Sequence, residues 1–101
     1  MPASPAVEAH VARWVTKLDH AYDRVERCNV VVELPHRRHR SGKCFRITLQ
    51  LRVPGSTLSI TDEAHEDVYV AIAEAFRVAR RRLHEYARIQ RGDIKLHARF
   101  A

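Results

Sequence analysis

The residues best suited to bind an anion lie at positions 77–91, where RVARRRLHEYARIQR holds six arginines and one histidine. The planar guanidinium group of arginine can form two parallel hydrogen bonds with a phosphate group. Most of these cations recur every three or four positions, which on a helix places them on one face. The candidates for phosphate contacts are Arg77, Arg80, Arg81, His84, Arg88 and Arg91.

A second basic segment, HRRHRSGK at positions 36–43, separates two stretches that alternate as strands do. We predict a polar hairpin loop there, with Arg37, Arg38 and Arg40 as further candidates for phosphate contacts. Arg46 follows on the solvent-facing side of the predicted sheet, where it would extend the basic surface. A charged turn without any binding role explains this segment equally well.

The charge of the whole chain favours a polyanionic partner. Its 101 residues carry 18 Lys and Arg against 12 Asp and Glu, which gives a net charge of +6 and a pI near 10. The segments 36–52 and 77–101 hold fourteen of the eighteen cations, whereas 53–76 holds five acidic residues and no Lys or Arg. This segregation predicts a distinct basic surface.

The length predicts a single domain over residues 1–101. No apolar run is long enough to span a bilayer, and no signal-peptide core follows Met1, so we expect a cytoplasmic protein that does not bind membranes. Cys28 and Cys44 form no CxxC motif, and we interpret both as reduced, buried residues.

Apolar residues at spacings of three and four predict two amphipathic helices. The first runs roughly over 5–26, with Ser4 as its cap and Pro5 at its first position. The second begins near His65 and stops before Gly92. Its predicted buried stripe consists of Tyr69, Ile72, Phe76, Ala79, Leu83 and Tyr86.

Alternating apolar and polar residues predict three strands between the helices. The first covers 29–34, the second has Phe45 to Val53 alternating inward and outward, and the turn at Pro54-Gly55 leads into a third. The order αβββα predicts an α+β fold, in which two helices cover one face of a small, mainly antiparallel sheet of three or four strands.

The aromatic residues bear on the kind of nucleic acid that could be bound. Six of them fall at predicted core positions, which leaves no platform on which unpaired bases could stack. These residues are Trp14, Tyr22, Phe45, Tyr69, Phe76 and Tyr86. The pattern therefore favours structured RNA that is recognised through its backbone and shape.

Enzyme chemistry is not expected. The acidic cluster formed by Asp62, Glu63, Glu66 and Asp67 is explained by the start of the second helix, where acidic groups complement the helix dipole. The spacing of His36, His39 and Cys44 matches no standard metal site. The chain has no glycine-rich phosphate loop and no nucleophile elbow, so we predict no cofactor and no small-molecule substrate.

HEDVYVAIAEAFRVARRRL, at positions 65–83, resembles the second-helix signature of the bacterial ribosome hibernation-promoting factors, also called the protein Y or sigma-54 modulation family. The likeness lies in an Asp-x-Tyr-x-Ala-Ile core, at Asp67, Tyr69, Ala71 and Ile72, followed by a basic helix. Upstream, VTKLDHAYDRVERCNVVVE is similar to that family's first helix running into its next strand. The resemblance covers about residues 7–91.

The resemblance implies a β-α-β-β-β-α domain that binds the small ribosomal subunit in the channel used by mRNA and tRNA, and so silences idle ribosomes. It implies that basic residues of the second helix contact small-subunit rRNA. The matching positions here are Arg77, Arg80, Arg81, His84 and Arg88. Translation would be blocked by steric occlusion, with phosphate contacts supplying the affinity.

Two features depart from the family pattern. MPASPA is short and rich in proline, so we do not expect it to form the family's first strand, and we expect no C-terminal dimerisation domain of the kind that longer members carry. Without the first strand, the order αβββα is also that of a double-stranded RNA-binding domain, although Glu66 and Asp67 argue against phosphates at the start of the second helix. A further alternative is an adaptor whose basic face binds an acidic protein.

The segment IKLHARF, at positions 94–100, has the alternation of a strand. We hypothesise that it adds to a sheet edge, either that of its own chain or that of a neighbour in a swapped homodimer. A frayed terminus is the alternative.

Overall fold

Two helices and three strands make up residues 4–35 and 44–90, the part of the chain that the computed structural model describes. The elements are α1 (Pro5–Ala21), β1 (Arg27–Glu33), β2 (Phe45–Val53), β3 (Ser56–His65) and α2 (Val68–Gln90). The strands pair antiparallel in the order β1-β2-β3. The predicted order αβββα and the predicted α+β class are confirmed.

The core lies between one face of the sheet and α2. Inward-facing residues of β2 are almost fully buried, while Gln50 and Arg52 on the opposite face are exposed, as the alternation predicts. Helix α2 packs on β2 and β3 and buries one stripe of side chains. The largest fully buried residues are Phe76, Ile47, Leu49, Leu51, Ile72, Leu83 and Val53.

Helix α1 packs beside α2 and is joined to it by aromatic contacts along its length. The ring of Trp14 stacks on that of Phe76 with 6.0 Å between centroids, and Tyr22 meets Tyr86 edge to face at 6.5 Å. Near the other end, His10 lies 4.9 Å from the ring of Tyr69. Because these contacts follow the same order in both helices, α1 and α2 run in the same direction.

The first helix is shorter than predicted, since it ends at Ala21 and not at 26. Tyr22 has extended backbone angles, and its N–H donates to the carbonyl of Leu18 as the last bond of the helix. Tyr22 and Val25 are nevertheless half-buried and pack against the core. The apolar periodicity therefore continued past the helix, because the following turn also contributes to the core.

The second helix begins at Val68, later than predicted, because β3 continues to His65. The side chain of Asp67 accepts hydrogen bonds from the backbone N–H groups of Tyr69, at 2.8 Å, and Val70, at 3.2 Å, and so caps the helix. The prediction that Glu63 belongs to the start of the helix is wrong, since it lies in β3. A shift in the β2–β3 register between Phe45 and Ile47 accompanies the extra length.

Two details of the predicted core also differ. Tyr69, expected to be buried, is 41% exposed, because the first turn of α2 packs its ring against His10 instead of the sheet. Cys28 and Cys44 are free thiols, as expected, but they are only half-buried.

A tight turn fixes the far end of α2 to the sheet. Gly55 has a φ of +83°, a conformation that favours glycine, in the turn between β2 and β3. The hydroxyl group of Tyr86 donates a hydrogen bond to the carbonyl oxygen of Pro54 in the same turn. This contact, between residues 32 positions apart, holds the C-terminal half of α2 in place.

Replacing Phe76 by alanine should lower the free energy of unfolding by about 3–5 kcal/mol, because the ring is fully buried in the core and stacks on Trp14. Tyr69→Ala is the matched control and should cost clearly less, since Tyr69 is 41% exposed. Urea denaturation followed by circular dichroism measures both. Equal losses would contradict the placement of the two rings.

Candidate nucleic-acid interface

Helix α2 carries cations on the face that it turns away from the sheet. The candidates that the structure describes on this helix are all exposed, while Ala79 and Leu83, which lie between them in sequence, are buried. With a rise of about 1.5 Å per residue, the distance along the helix from Arg77 to Arg88 is about 16 Å. We call this set the cationic row: Arg77, Arg80, Arg81, His84 and Arg88.

Most of the charge of the cationic row is not neutralised by other described residues. Arg77 forms an ion pair with Glu74, one turn earlier, with 2.8 Å between Nη1 and Oε1. This pair is exposed and of the kind that contributes little to stability. Within 4–35 and 44–90, Arg80, Arg81 and Arg88 form no ion pair. The row therefore presents a line of cations to solvent.

Arg82 belongs to the same helix but points elsewhere. Its Nη1 donates to the backbone carbonyl of Ser59 in β3, at 3.5 Å. The side chain thus lies along the flank of α2, beside the sheet, and not on the face that carries the row. Arg82 and Arg81 are adjacent in sequence and both exposed, yet they face different surroundings.

Arg46 lies in the opposite layer of the molecule, on the open face of the sheet. Its Nε is 3.0 Å from Glu63 in β3, and its Nη1 is 3.2 Å from Glu33 in β1. The hydrogen bonds to Glu63 and Glu33 raise the pKa of the Arg46 guanidinium group. Arg46 therefore links all three strands, and the structure does not bring it together with the cationic row.

The strand register reveals a pair of cations that spacing in the sequence could not show. Arg27 in β1 stands directly opposite Arg52 in β2, and both are exposed on the open face. Like charges in such positions repel each other. Glu26 offsets part of this repulsion, with 3.8 Å between its Oε1 and the Nε of Arg52. An anion placed between the two guanidinium groups would relieve the rest.

Four of the predicted site residues, Arg37, Arg38, Arg40 and Arg91, lie outside the described residues. So do His36 and His39 and the segment 94–100. Residues 36–43 follow Pro35 and precede Cys44, and both of these described residues lie at the end of the sheet where α2 begins.

Other kinds of site find little support in the described ranges. No three His, Cys, Asp or Glu side chains come together there as metal ligands. Asp62 Oδ2 lies 3.0 Å from His65 Nδ1, but this contact is local, because the two residues are separated by three positions in the sequence. Burial raises the pKa of the Cys28 thiol, which makes it a poorer nucleophile at neutral pH. None of the described helices is long and apolar enough to cross a membrane.

The fold is shared with two solved structures. The N-terminal domain of Protein Y from Thermus thermophilus superimposes with a TM-score of 0.70 at 21% identity, over 85% of this chain and 88% of that one. A ribosomal subunit interface protein from Coxiella burnetii gives 0.72 at 16% identity, over 86% and 88%. At these identities the likeness concerns the fold. No curated protein sequence matches the chain significantly.

The sequence itself matches a family model. The match is to the family described as sigma 54 modulation protein / S30EA ribosomal protein, and it extends over residues 1–91. This range contains both helices, all three strands and the whole cationic row. The resemblance seen in the sequence is confirmed, and the chain belongs to this family of ribosome-associated proteins, which are not enzymes.

Proposed function

We propose that this protein is a ribosome hibernation factor, which binds small-subunit rRNA through the cationic row, blocks the mRNA and tRNA channel and so inhibits translation. Membership of the family supplies the ribosome as partner. The observation that carries the rest is the cationic row, whose members are all exposed and whose arginines, apart from Arg77, form no ion pair in the described ranges.

The row suits the backbone of structured RNA. One guanidinium group can donate two parallel hydrogen bonds to the oxygens of a phosphate group, and cations repeated along a rigid helix can follow a phosphate backbone. Most of the aromatic residues support the same partner, since Phe76 is buried and Trp14, Tyr22, Phe45 and Tyr86 are half-buried, whereas Tyr69 is exposed and packs edge to face on His10. Affinity would come from phosphate contacts, and inhibition from the volume that the domain occupies.

The other candidate residues differ in how strongly they support binding to rRNA. Arg37, Arg38, Arg40 and Arg91 are proposed as further phosphate contacts on the strength of their sequence positions. Arg46 contributes less, because two carboxylates already neutralise its charge. The pair formed by Arg27 and Arg52 is a more suitable contact on the open face of the sheet.

The proposal treats residues 1–101 as a single ribosome-binding domain and places it in the cytoplasm, where ribosomes work. It includes no cofactor and no small-molecule substrate. It also includes a homodimer formed through an open sheet edge, since β1 has one neighbouring strand in the described part of the chain.

One alternative loses support, and a second is separated by experiment. A double-stranded RNA-binding domain has the same order of elements, but the match over residues 1–91 is to the S30EA family. An adaptor for an acidic protein would use the same cations. Nuclease treatment during purification distinguishes an adaptor from an RNA-binding protein, because an adaptor would keep its protein partner when RNA is destroyed.

Binding to ribosomes should depend steeply on salt. If six to ten phosphates are contacted, affinity for the small subunit should fall by about a thousandfold or more between about 50 and 200 mM salt. Sedimentation of the purified protein with separated subunits measures this, and the large subunit should not retain the protein. Equal binding to both subunits, or binding that is independent of salt, would contradict the proposal.

Replacing Arg77, Arg81 and Arg88 together by glutamate should abolish binding to the small subunit without unfolding the domain, because all three are exposed.

A sharper comparison uses single changes at adjacent positions of the same helix. Arg81→Glu should weaken binding and lower the salt dependence, whereas Arg82→Glu should do so much less, since Arg82 faces β3. Similar effects of the two single changes would show that the cationic row has no special role.

A further inference from the structure

The outer edge of β1 is open in the described part of the chain. The sheet order β1-β2-β3 gives β1 one hydrogen-bonded neighbour. The inward residues of β1 are only half-buried, although the β2 residues beside them are fully buried. These inward residues are Cys28, Val30 and Val32. An edge strand with accessible backbone groups and apolar side chains is a template for another strand.

The sequence of β1, RCNVVVE, is complementary to itself when it is reversed. If two copies pair antiparallel about Val30, Arg27 of each comes opposite Glu33 of the other. Cys28 then comes opposite Val32, and Asn29 opposite Val31. Opposite charges meet on the open face of the sheet, and apolar side chains meet on the face that carries the helices. The cross-strand pairs are therefore favourable on both faces.

Neighbouring registers do not have this property. Moving the centre of the pairing to Val31 places Arg27 opposite Pro35, and moving it to Asn29 places Arg27 opposite Val31. In both cases Arg27 and Glu33 lose each other as partners. The charges of β1 therefore select the register centred on Val30.

An apolar residue and an apolar cavity also become neighbours in this register. Leu34, just beyond β1, is 41% exposed. In the paired arrangement, Leu34 of one copy reaches the level of Glu26 of the other. A cavity of about 170 Å³ lies there between α1 and β1, and its apolar lining is Val15, Leu18, Val25 and Cys28. The second copy thus brings an exposed leucine to an apolar recess.

We propose that two copies of this chain associate by antiparallel pairing of β1 with β1, centred on Val30, so that their two three-stranded sheets become continuous. This inference rests on the homodimer of the proposed function and gives it an interface, and it does not require RNA. The cationic row stays accessible, because α2 packs on β2 and β3 and carries the row on its outer face.

Disulfide trapping tests the register. In a background with Cys28→Ser and Cys44→Ser, Val30→Cys should give a covalent dimer on mild oxidation, because residues at the centre lie opposite each other with about 4.5–5.5 Å between Cβ atoms. Val31→Cys is the matched control. Its two copies would be diagonal neighbours about 7–8 Å apart, too far for a disulfide bond. Efficient trapping at Val31 and not at Val30 would overturn the proposed register.

Charge reversal tests the same interface without cysteines. Arg27→Glu and Glu33→Arg should each weaken the dimer by about tenfold or more in sedimentation velocity, since like charges then face each other across the new strand pair. An equimolar mixture of the two variants should dimerise, because each cross-strand pair in the mixed dimer again joins one acidic and one basic side chain. The double variant should recover the homodimer, while Arg24→Glu, outside β1, should have no effect. Variants that dimerise as the wild type does would overturn the interface.

The failures of this inference and of the proposed function are distinct. A wild-type chain that is monomeric but sediments with the small subunit overturns the dimer alone. A dimer that does not bind the subunit overturns the proposed function alone. A third result is a monomer in which amide hydrogen exchange is slow at residues 94–100. It would mean that this segment pairs with a sheet edge of its own chain, and it would also overturn the dimer.

Discussion

The burial of one stripe of α2 on β2 and β3 is the interaction on which the rest of the structure depends. It fills the core with Phe76, Ile72 and Leu83 and provides the surface against which α1 packs. The same contact fixes the rotation of α2 about its own axis. Because the apolar stripe must face the sheet, the cationic row, which lies on the opposite side of the helix, must face solvent. Stability and the presentation of charge therefore follow from one constraint.

The elements with strong periodicity could be predicted from the sequence. The alternation from Phe45 to Val53 and the three-to-four spacing in α2 both arise from burial on one side, which a sequence displays directly. The exposure of the cationic row follows from the same periodicity. The boundaries were harder to predict, because Tyr22 and Val25 belong to the core without belonging to a helix.

Contacts between distant residues were beyond the reach of the sequence. Arg46 was predicted to be one more exposed cation, but Glu33 and Glu63, 13 and 17 residues away, bind it. The opposition of Arg27 and Arg52 depends on strand register, which spacing alone does not define. The length of β3 depends on an irregular pairing with β2 near Phe45. In each case the deciding partner lies on a different strand.

The hydrogen bond from Tyr86 to Pro54 has a thermodynamic consequence for recognition. It attaches the last turns of α2 to the turn between β2 and β3, which Gly55 shapes through its positive φ. The backbone that carries the cations is thus already ordered before any ligand arrives. An ordered backbone has less conformational entropy to lose on association, so a larger share of the electrostatic attraction remains as affinity. A tyrosine that never touches the ligand would in this way contribute to the strength of its binding.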